Sequence, residues 1–76
     1  MTNKSIYSNK HRFLIQQLRK ARLESNLTQK EVADTLGKTQ SYISKIETGQ
    51  LRVDVIQLEQ FASLYKKNLK YFISKQ

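Results

Sequence analysis

The 76-residue chain has no cysteine, no proline, two glycines and one histidine. Without cysteine, neither a disulfide framework nor a thiolate metal site can stabilise so short a chain, and one histidine cannot form a zinc site. The lack of cysteine is compatible with a reducing compartment. No apolar run is long enough for a signal peptide or a membrane span. We therefore expect one small cytoplasmic domain that does not associate with membranes.

The rarity of proline and glycine, and the absence of any sustained alternation of apolar and polar residues, favour an all-helical fold. Residues 10–74 are predicted to form this domain, and residues 1–9 a flexible basic N-terminal arm. The first helix is predicted from near Asn9 to about Ser25. Asn26 then ends it, because asparagine tolerates the left-handed conformation common at helix ends.

Capping residues predict four further helices. Thr28, with glutamate three residues later, forms a capping box that opens the second helix, and Gly37 stops that helix. Thr39 is a good N-cap for a third helix over about 40–48. Asp54 opens the fourth helix with a second capping box, and Asn68 opens a short fifth helix. The apolar residues of the fourth helix at core spacing are Val55, Leu58, Phe61, Ala62 and Tyr65.

The net charge of +8 is concentrated at the two ends of the chain. Residues 1–22 hold six bases and residues 66–76 hold four, with no acid in either segment, whereas residues 23–65 have a net charge of −2. Such an excess of positive charge indicates a polyanionic partner. Charge alone would suit a ribosomal protein or a membrane-surface protein equally well. The class of function therefore has to be inferred from the middle of the chain.

Two short helices joined by a tight glycine-containing turn, as predicted over about 29–48, form a helix-turn-helix arrangement. On the third helix, the polar residues occupy roughly 140° of arc at 100° per residue. These residues are Gln40, Ser41, Ser44, Lys45 and Thr48. Ile43 and Ile46 lie on the opposite side, where they can anchor the helix to the core. A short polar helix face of this kind fits the major groove of DNA.

Glutamine can pair bidentately with adenine, and lysine can donate to the acceptors of guanine. Gln40 and Lys45 are therefore the leading candidates for base contacts, with Ser41 and Ser44 as less discriminating partners. Polar outward residues are common on any solvated helix. Their position inside a capped pair of helices is what favours a binding role over an ordinary surface.

The segment LTQKEVADTLGKTQSYISKIETG resembles the helix-turn-helix of the phage-repressor and Cro-like family, also called the Xre family. The similarity continues through LEQFASLY and NLKYFI, so it covers roughly residues 12–73. The resemblance implies a compact five-helix, lambda-repressor-like fold with helices two and three as the helix-turn-helix. It also implies a transcriptional regulator of repressor or controller type that binds double-stranded DNA, as a homodimer on a pseudo-palindromic operator. No cofactor and no metal are expected.

The resemblance also implies roles for individual residues. Gln40, Ser41 and Lys45 fall on positions that contact mainly bases in relatives. The positions expected to contact the DNA backbone are Gln29, Lys38, Thr39, Gln50 and Arg52. Arg22 and Glu47 match an ion pair that joins the first helix to the third, so that this acid would be neutralised beside the DNA.

Some features depart from the common family pattern. Lys66 stands where many relatives place glycine or asparagine, and Lys67 replaces a usual apolar residue, so the join between helices four and five is expected to differ. Tyr71 and Ile73 exceed what one small core can cover, which makes them candidates for a dimer contact. A further hypothesis is that Lys4 and Lys10 belong to the flexible arm and follow the DNA backbone.

Two other classes of function remain open. A protein-interaction module, such as an antitoxin-like or adaptor protein, could keep the fold and show no DNA sequence preference. A protein that coats nucleic acid nonspecifically would bind single strands as well, but the chain offers no exposed aromatic platform for it. An enzyme is not expected, because the acids do not assemble into a paired-carboxylate site and the serines have no partner base.

Overall fold

The computed structural model describes residues 8–73, which contain five α-helices and no strand. The helices are α1 (Asn9–Glu24), α2 (Gln29–Leu36), α3 (Gln40–Glu47), α4 (Val55–Tyr65) and α5 (Lys70–Ile73). The prediction of an all-helical, five-helix domain is confirmed. Within residues 8–73, no helix combines the length and apolar character needed to cross a bilayer.

Side-chain caps begin the helices at the positions that the sequence predicts. Thr28 accepts a hydrogen bond from the Glu31 amide at 3.0 Å, and the Glu31 carboxylate accepts one from the Thr28 amide at 2.8 Å. Asp54 and Gln57 repeat this capping box at the start of α4. Each box satisfies two backbone N–H groups that the helix itself leaves without acceptors. The start of α2 and of α4 is therefore fixed locally.

The first helix begins at Asn9, as predicted, so the helix includes the last residue of the predicted arm. Ser8 caps α1 by accepting from the His11 amide at 3.1 Å, and Asn9 is already helical. Lys10 therefore lies in the first turn of α1, and its assignment to a flexible arm is wrong, because a capped helical turn fixes its backbone. Lys4, the other residue of that hypothesis, lies outside the described residues.

Left-handed residues end three of the helices. Asn26 (φ 60°), Gly37 (φ 70°) and Lys66 (φ 59°) follow α1, α2 and α4. Asparagine and glycine adopt this conformation readily. For lysine it costs about 1 kcal/mol, because the Cβ crowds the following carbonyl. Lys66 thus occupies the left-handed position at which glycine or asparagine would be relaxed.

One apolar core lies between the helices, and α1 contacts α3, α4 and α5 across it. Its buried residues are Leu18, Ala21, Val32, Ala33, Ile43, Ile46, Leu58, Phe61, Ala62, Tyr65 and Phe72. Val55 departs from the predicted core face, since 60% of its surface is exposed. It is the first residue of α4, and helical side chains lean toward the N-terminus of their helix, here past the edge of the core.

Candidate nucleic-acid interface

A short turn fixes α3 against α2. After Gly37, the Lys38 amide donates to the Ala33 carbonyl at 2.8 Å, which closes the end of α2. Thr39 then caps α3 by accepting from the Tyr42 amide at 3.1 Å. Because every residue of the turn is held by a cap or a backbone hydrogen bond, α2 and α3 are positioned as one unit.

The two faces of α3 differ as the spacing predicts. Ile43 and Ile46 are fully buried, so they hold the helix onto the core. Gln40, Ser41 and Lys45 are exposed together on the outer face, and Ser44 is half-buried beside them. The candidate base-contacting residues therefore share one surface of one rigid helix, with Ser44 the least accessible.

The loop after α3 contains two residues expected to contact the DNA backbone, Gln50 and Arg52. The side chain of Gln50 is hydrogen-bonded within the protein, whereas that of Arg52 is exposed. Thr48 donates through its hydroxyl to the Ser44 carbonyl at 2.9 Å and accepts from the side-chain amide of Gln50 at 2.9 Å. The Gln50 side chain is thus folded back onto the end of α3. Arg52 is exposed, and no carboxylate of residues 8–73 lies within 4 Å of its guanidinium.

A buried ion pair ties α1 to the C-terminal end of α3. Arg22 donates from Nε to Glu47 Oε2 at 2.8 Å and from Nη2 to Glu47 Oε1 at 3.0 Å, and from Nη1 to the Leu27 carbonyl at 3.0 Å. The hydrogen bonds to Glu47 raise the pKa of Arg22, against the opposing effect of its burial and with the help of the Glu47 charge. The arrangement positions three chain segments with one guanidinium.

Gln29 belongs to the same network. Its Nε2 donates to Glu47 Oε1 at 3.1 Å, which joins the first residue of α2 to the last residue of α3. Within residues 8–73, one amide N–H and the amide oxygen of Gln29 are left for other partners. The spacing of Gln29 and Glu47 along the chain gave no indication of this contact, because the two residues meet only when α2 and α3 are packed together.

Tyr42 is a second positioning residue that sequence reasoning missed. Its hydroxyl accepts a hydrogen bond from the side-chain amide of Gln57, which also caps α4. The ring of Tyr42 lies under the ammonium group of Lys38, with Nζ 5.1 Å from the ring centroid. Tyr42 therefore connects the first turn of α3 to the start of α4, and its ring holds Lys38 close to that turn.

The segment 28–54 carries four bases and four acids, so it has no net charge. Its acids are nevertheless engaged away from the outer face of α3: Glu31 and Asp54 in caps, Asp34 with Lys30 at 3.4 Å, and Glu47 in the buried pair. The basic residues of the segment without a carboxylate within 4 Å, among residues 8–73, are Lys38, Lys45 and Arg52. These three cations are therefore available to an anionic partner, although the segment has no net charge.

The remaining candidates lie on α5. Ile73 is 59% exposed, whereas Tyr71 is half-buried, packs edge-to-face on Phe72 at a centroid distance of 5.0 Å and has the ammonium of Lys67 4.6 Å from its ring centroid. Within the described part of the chain, no three histidine, aspartate or glutamate side chains cluster to hold a metal ion.

Comparison with known proteins gives two findings. A family model described as helix-turn-helix matches residues 18–72, a range that includes α2 to α4 entirely, the C-terminal part of α1 and most of α5. A search of curated proteins found no match.

Proposed function

The chain belongs to the Cro/C1-type, Xre-like helix-turn-helix family and is a DNA-binding regulator, and on this premise we propose that it recognises one specific duplex sequence as a homodimer. The proposed action is that of a cytoplasmic repressor or controller, bound at a pseudo-palindromic operator. The observation that carries the proposal is the exposed polar face of α3, which is set on a buried apolar face and held at both ends.

Base recognition is proposed for Gln40, Ser41 and Lys45, with Ser44 in a lesser role. The amide of Gln40 can donate and accept in the pattern that adenine presents in the major groove, and Lys45 can donate to guanine. Gln40 and Lys45 are exposed, and no carboxylate of residues 8–73 lies within 4 Å of the Lys45 ammonium. A good bidentate contact contributes about 1–3 kcal/mol of discrimination against the wrong base.

Backbone contacts are proposed at both ends of the recognition unit. Gln29 and Thr39 lie where the free N–H groups of α2 and α3 favour a phosphate. Lys38 and Arg52 add positive charge on either side of α3. Gln50 can contribute only by exchanging its hydrogen bond to Thr48 for one to a phosphate.

The homodimer is supported by apolar surface that one core does not cover. Ile73 projects from α5, and Val55 and Ile56 project from the first turn of α4. Such side chains commonly mark a protein–protein contact. Tyr71 contributes less than the sequence suggests, because its ring is already partly covered by Phe72. Two subunits would place their recognition helices one DNA turn, about 34 Å, apart.

A protein-interaction module is the second candidate, and one observation favours it. Specific DNA-binding surfaces are usually strongly basic, whereas the segment 28–54 is neutral overall. In that case the protein would bind duplex DNA without sequence preference, and its affinity would fall steeply with salt through charges outside α3.

The test is a selection from a randomised duplex pool at near-physiological salt. Wild type, Gln40→Ala and Gln60→Ala are run in parallel. Gln60 is an exposed glutamine of α4, so its replacement removes the same chemical group away from α3. We expect wild type and Gln60→Ala to enrich the same two-fold-symmetric site and Gln40→Ala to lose preference at one base pair of each half-site. If no sequence is enriched by wild type, specific recognition is refuted.

A further inference from the structure

A second basic surface lies where α1 meets the turn between α4 and α5. Its cations are Arg19, Lys20, Lys66, Lys67 and Lys70. Two shallow depressions, one along α1 and one around the turn, are joined by the ion pair between Lys67 Nζ and Glu24 Oε1 at 3.2 Å. We call this continuous area the α1–α5 basic surface.

The α1–α5 basic surface carries much of the charge that the recognition unit lacks. Five cations are opposed by one carboxylate, a net charge of +4, whereas the segment 28–54 is neutral. Apart from Lys67, none of these cations has a carboxylate within 4 Å among residues 8–73. Bases at helix C-termini can serve simply to offset the helix dipole. That explanation covers Lys66 and Lys67, but Arg19 and Lys20 precede the last turn of α1.

Lys66 places a cation at a strained backbone position. It adopts the left-handed conformation at the end of α4, where glycine or asparagine would be relaxed. Its ammonium forms no ion pair with any residue of the described range. Apart from offsetting the dipole of α4, the lysine side chain forms no ion pair within residues 8–73 that would account for it at this position.

An exposed apolar residue lies among these charges. Leu23 is 54% exposed and lines the depression on α1 together with Arg19 and Lys20. DNA phosphates can pair with the cations, but they do not cover an apolar side chain such as Leu23. A protein segment with acidic and apolar side chains on one face matches both features of the surface.

We propose that the α1–α5 basic surface binds an acidic amphipathic segment of a partner protein. An apolar side chain of the partner covers Leu23, and carboxylates on either side pair with Arg19 and Lys20 and with the lysines of the turn. These residues are distinct from the outer face of α3. A partner on this surface would give the regulator a means of control, or of recruiting another protein, that does not depend on changing its base contacts.

The test is an NMR titration of the ¹⁵N-labelled full chain with a synthetic helical peptide of glutamates and leucines, in which the leucines form one stripe. A scrambled peptide of the same composition, without the stripe, is the matched control. We expect shifts confined to residues 19–24 and 66–71, and binding of the scrambled peptide about tenfold weaker, because it cannot cover Leu23 while its charges pair. Shifts on 28–54 instead, or equal binding of the two peptides, would overturn the proposal.

Charge-reversal variants distinguish binding at this surface from attraction by the net charge of the protein. Lys20→Glu/Lys70→Glu and Lys30→Glu/Lys38→Glu change the total charge equally, but only the first pair lies on the α1–α5 basic surface. We expect the first variant to bind the striped peptide about tenfold more weakly and the second to bind like wild type. Equal weakening would show attraction by net charge alone and refute a docking surface.

Two further measurements test whether a loss of peptide binding is due to unfolding, and whether the surface binds DNA instead of a protein. Leu23→Ser removes the apolar contact, and because Leu23 is more than half exposed, the thermal midpoint should stay near that of wild type while peptide binding falls. A nonspecific duplex titrated in place of the peptide should shift residues of α3 and leave 66–71 unchanged. If the duplex shifts 66–71 as strongly as the peptide, the surface is a DNA-backbone contact. The duplex selection proposed above is unaffected by either result.

Discussion

Removing Glu47 should be among the most damaging single changes in this protein. The side chains of Arg22 and Glu47 are only 10% and 5% exposed, so solvent screens their interaction weakly. In Glu47→Ala, Arg22 would keep only its hydrogen bond to the Leu27 carbonyl among its side-chain bonds to residues 8–73, and its charge would remain buried. Breaking one partner of a buried pair costs about 3–5 kcal/mol. At about 0.05–0.15 kcal/mol per residue, a domain of this size has only about 4–11 kcal/mol in total.

Replacing both partners should restore most of that loss. In Arg22→Met/Glu47→Leu, no charge is left buried, and apolar side chains of similar volume can fill the space, a change that is often neutral in other proteins. We therefore expect strong coupling in the double-mutant cycle: the sum of the two single losses should exceed the loss of the double variant by about 3 kcal/mol or more. Urea denaturation followed by circular dichroism at neutral pH gives the four free energies of unfolding.

An exposed ion pair is the matched control for the double-mutant cycle, and additive single losses would contradict the expected coupling. Lys30 and Asp34 form an exposed pair on α2, with side chains 71% and 67% exposed, and Asp34→Ala should cost less than about 0.5 kcal/mol. If the two single losses at Arg22 and Glu47 simply add in the double variant, the pair is not coupled and our reasoning about its burial is wrong.

The double variant also separates stability from recognition. Gln29 loses its acceptor when Glu47 is absent, so the joined ends of α2 and α3 are no longer held by a hydrogen bond. We expect Arg22→Met/Glu47→Leu to fold but to bind the selected operator more weakly than wild type. Equal operator affinity would show that the network contributes to the fold alone.

Three other changes test separate parts of the structure. Lys66→Gly should raise the free energy of unfolding by about 0.5 kcal/mol, because relief of the left-handed strain exceeds the added entropy of the unfolded chain; a loss measured by urea denaturation would contradict this. Burial raises the pKa of Tyr65 above its usual value of 10.0, helped by the charge of Glu47, so only the unfolded state loses this proton as pH rises past 10. Stability should therefore be full below pH 10 and about 1.4 kcal/mol lower at pH 11 from this residue. Tyr65→Phe, which removes a buried hydroxyl without a hydrogen-bond partner among the described residues, should reduce that alkaline loss at little cost at pH 7; an unchanged loss would assign it to another group. Thr28→Ala should cost about 1 kcal/mol by removing the cap of α2, whereas an effect no larger than that of exposed Thr35→Ala would deny the cap its role.

The elements of the fold were predictable because their determinants are local. A capping box joins residues three apart. Thr28 and Asp54 therefore predict helix starts from the local sequence alone. The same holds for the left-handed ends at Asn26 and Gly37. The two faces of α3 follow from helical periodicity alone, which is why the candidate base-contacting residues could be named from the sequence.

The start of α1 near Asn9 was predicted, but its cap and the exposure of Val55 were missed for related reasons. Ser8 is one of several polar residues near the N-terminus, and nothing local distinguishes it as the cap that takes Lys10 into the helix. Val55 has core spacing, but spacing gives the side of a helix and does not show how far the neighbouring helices extend.

Sequence by itself determined the number of helices, the capped starts of α2, α3 and α4, the polar face of α3 and the family. Only the tertiary structure decided which distant groups meet: Gln29 with Glu47, Tyr42 with Gln57, and Glu24 with Lys67. Caps and periodicity act over three or four residues, whereas these contacts depend on the angles at which whole helices pack. Those angles result from the complete core, so no short segment encodes them.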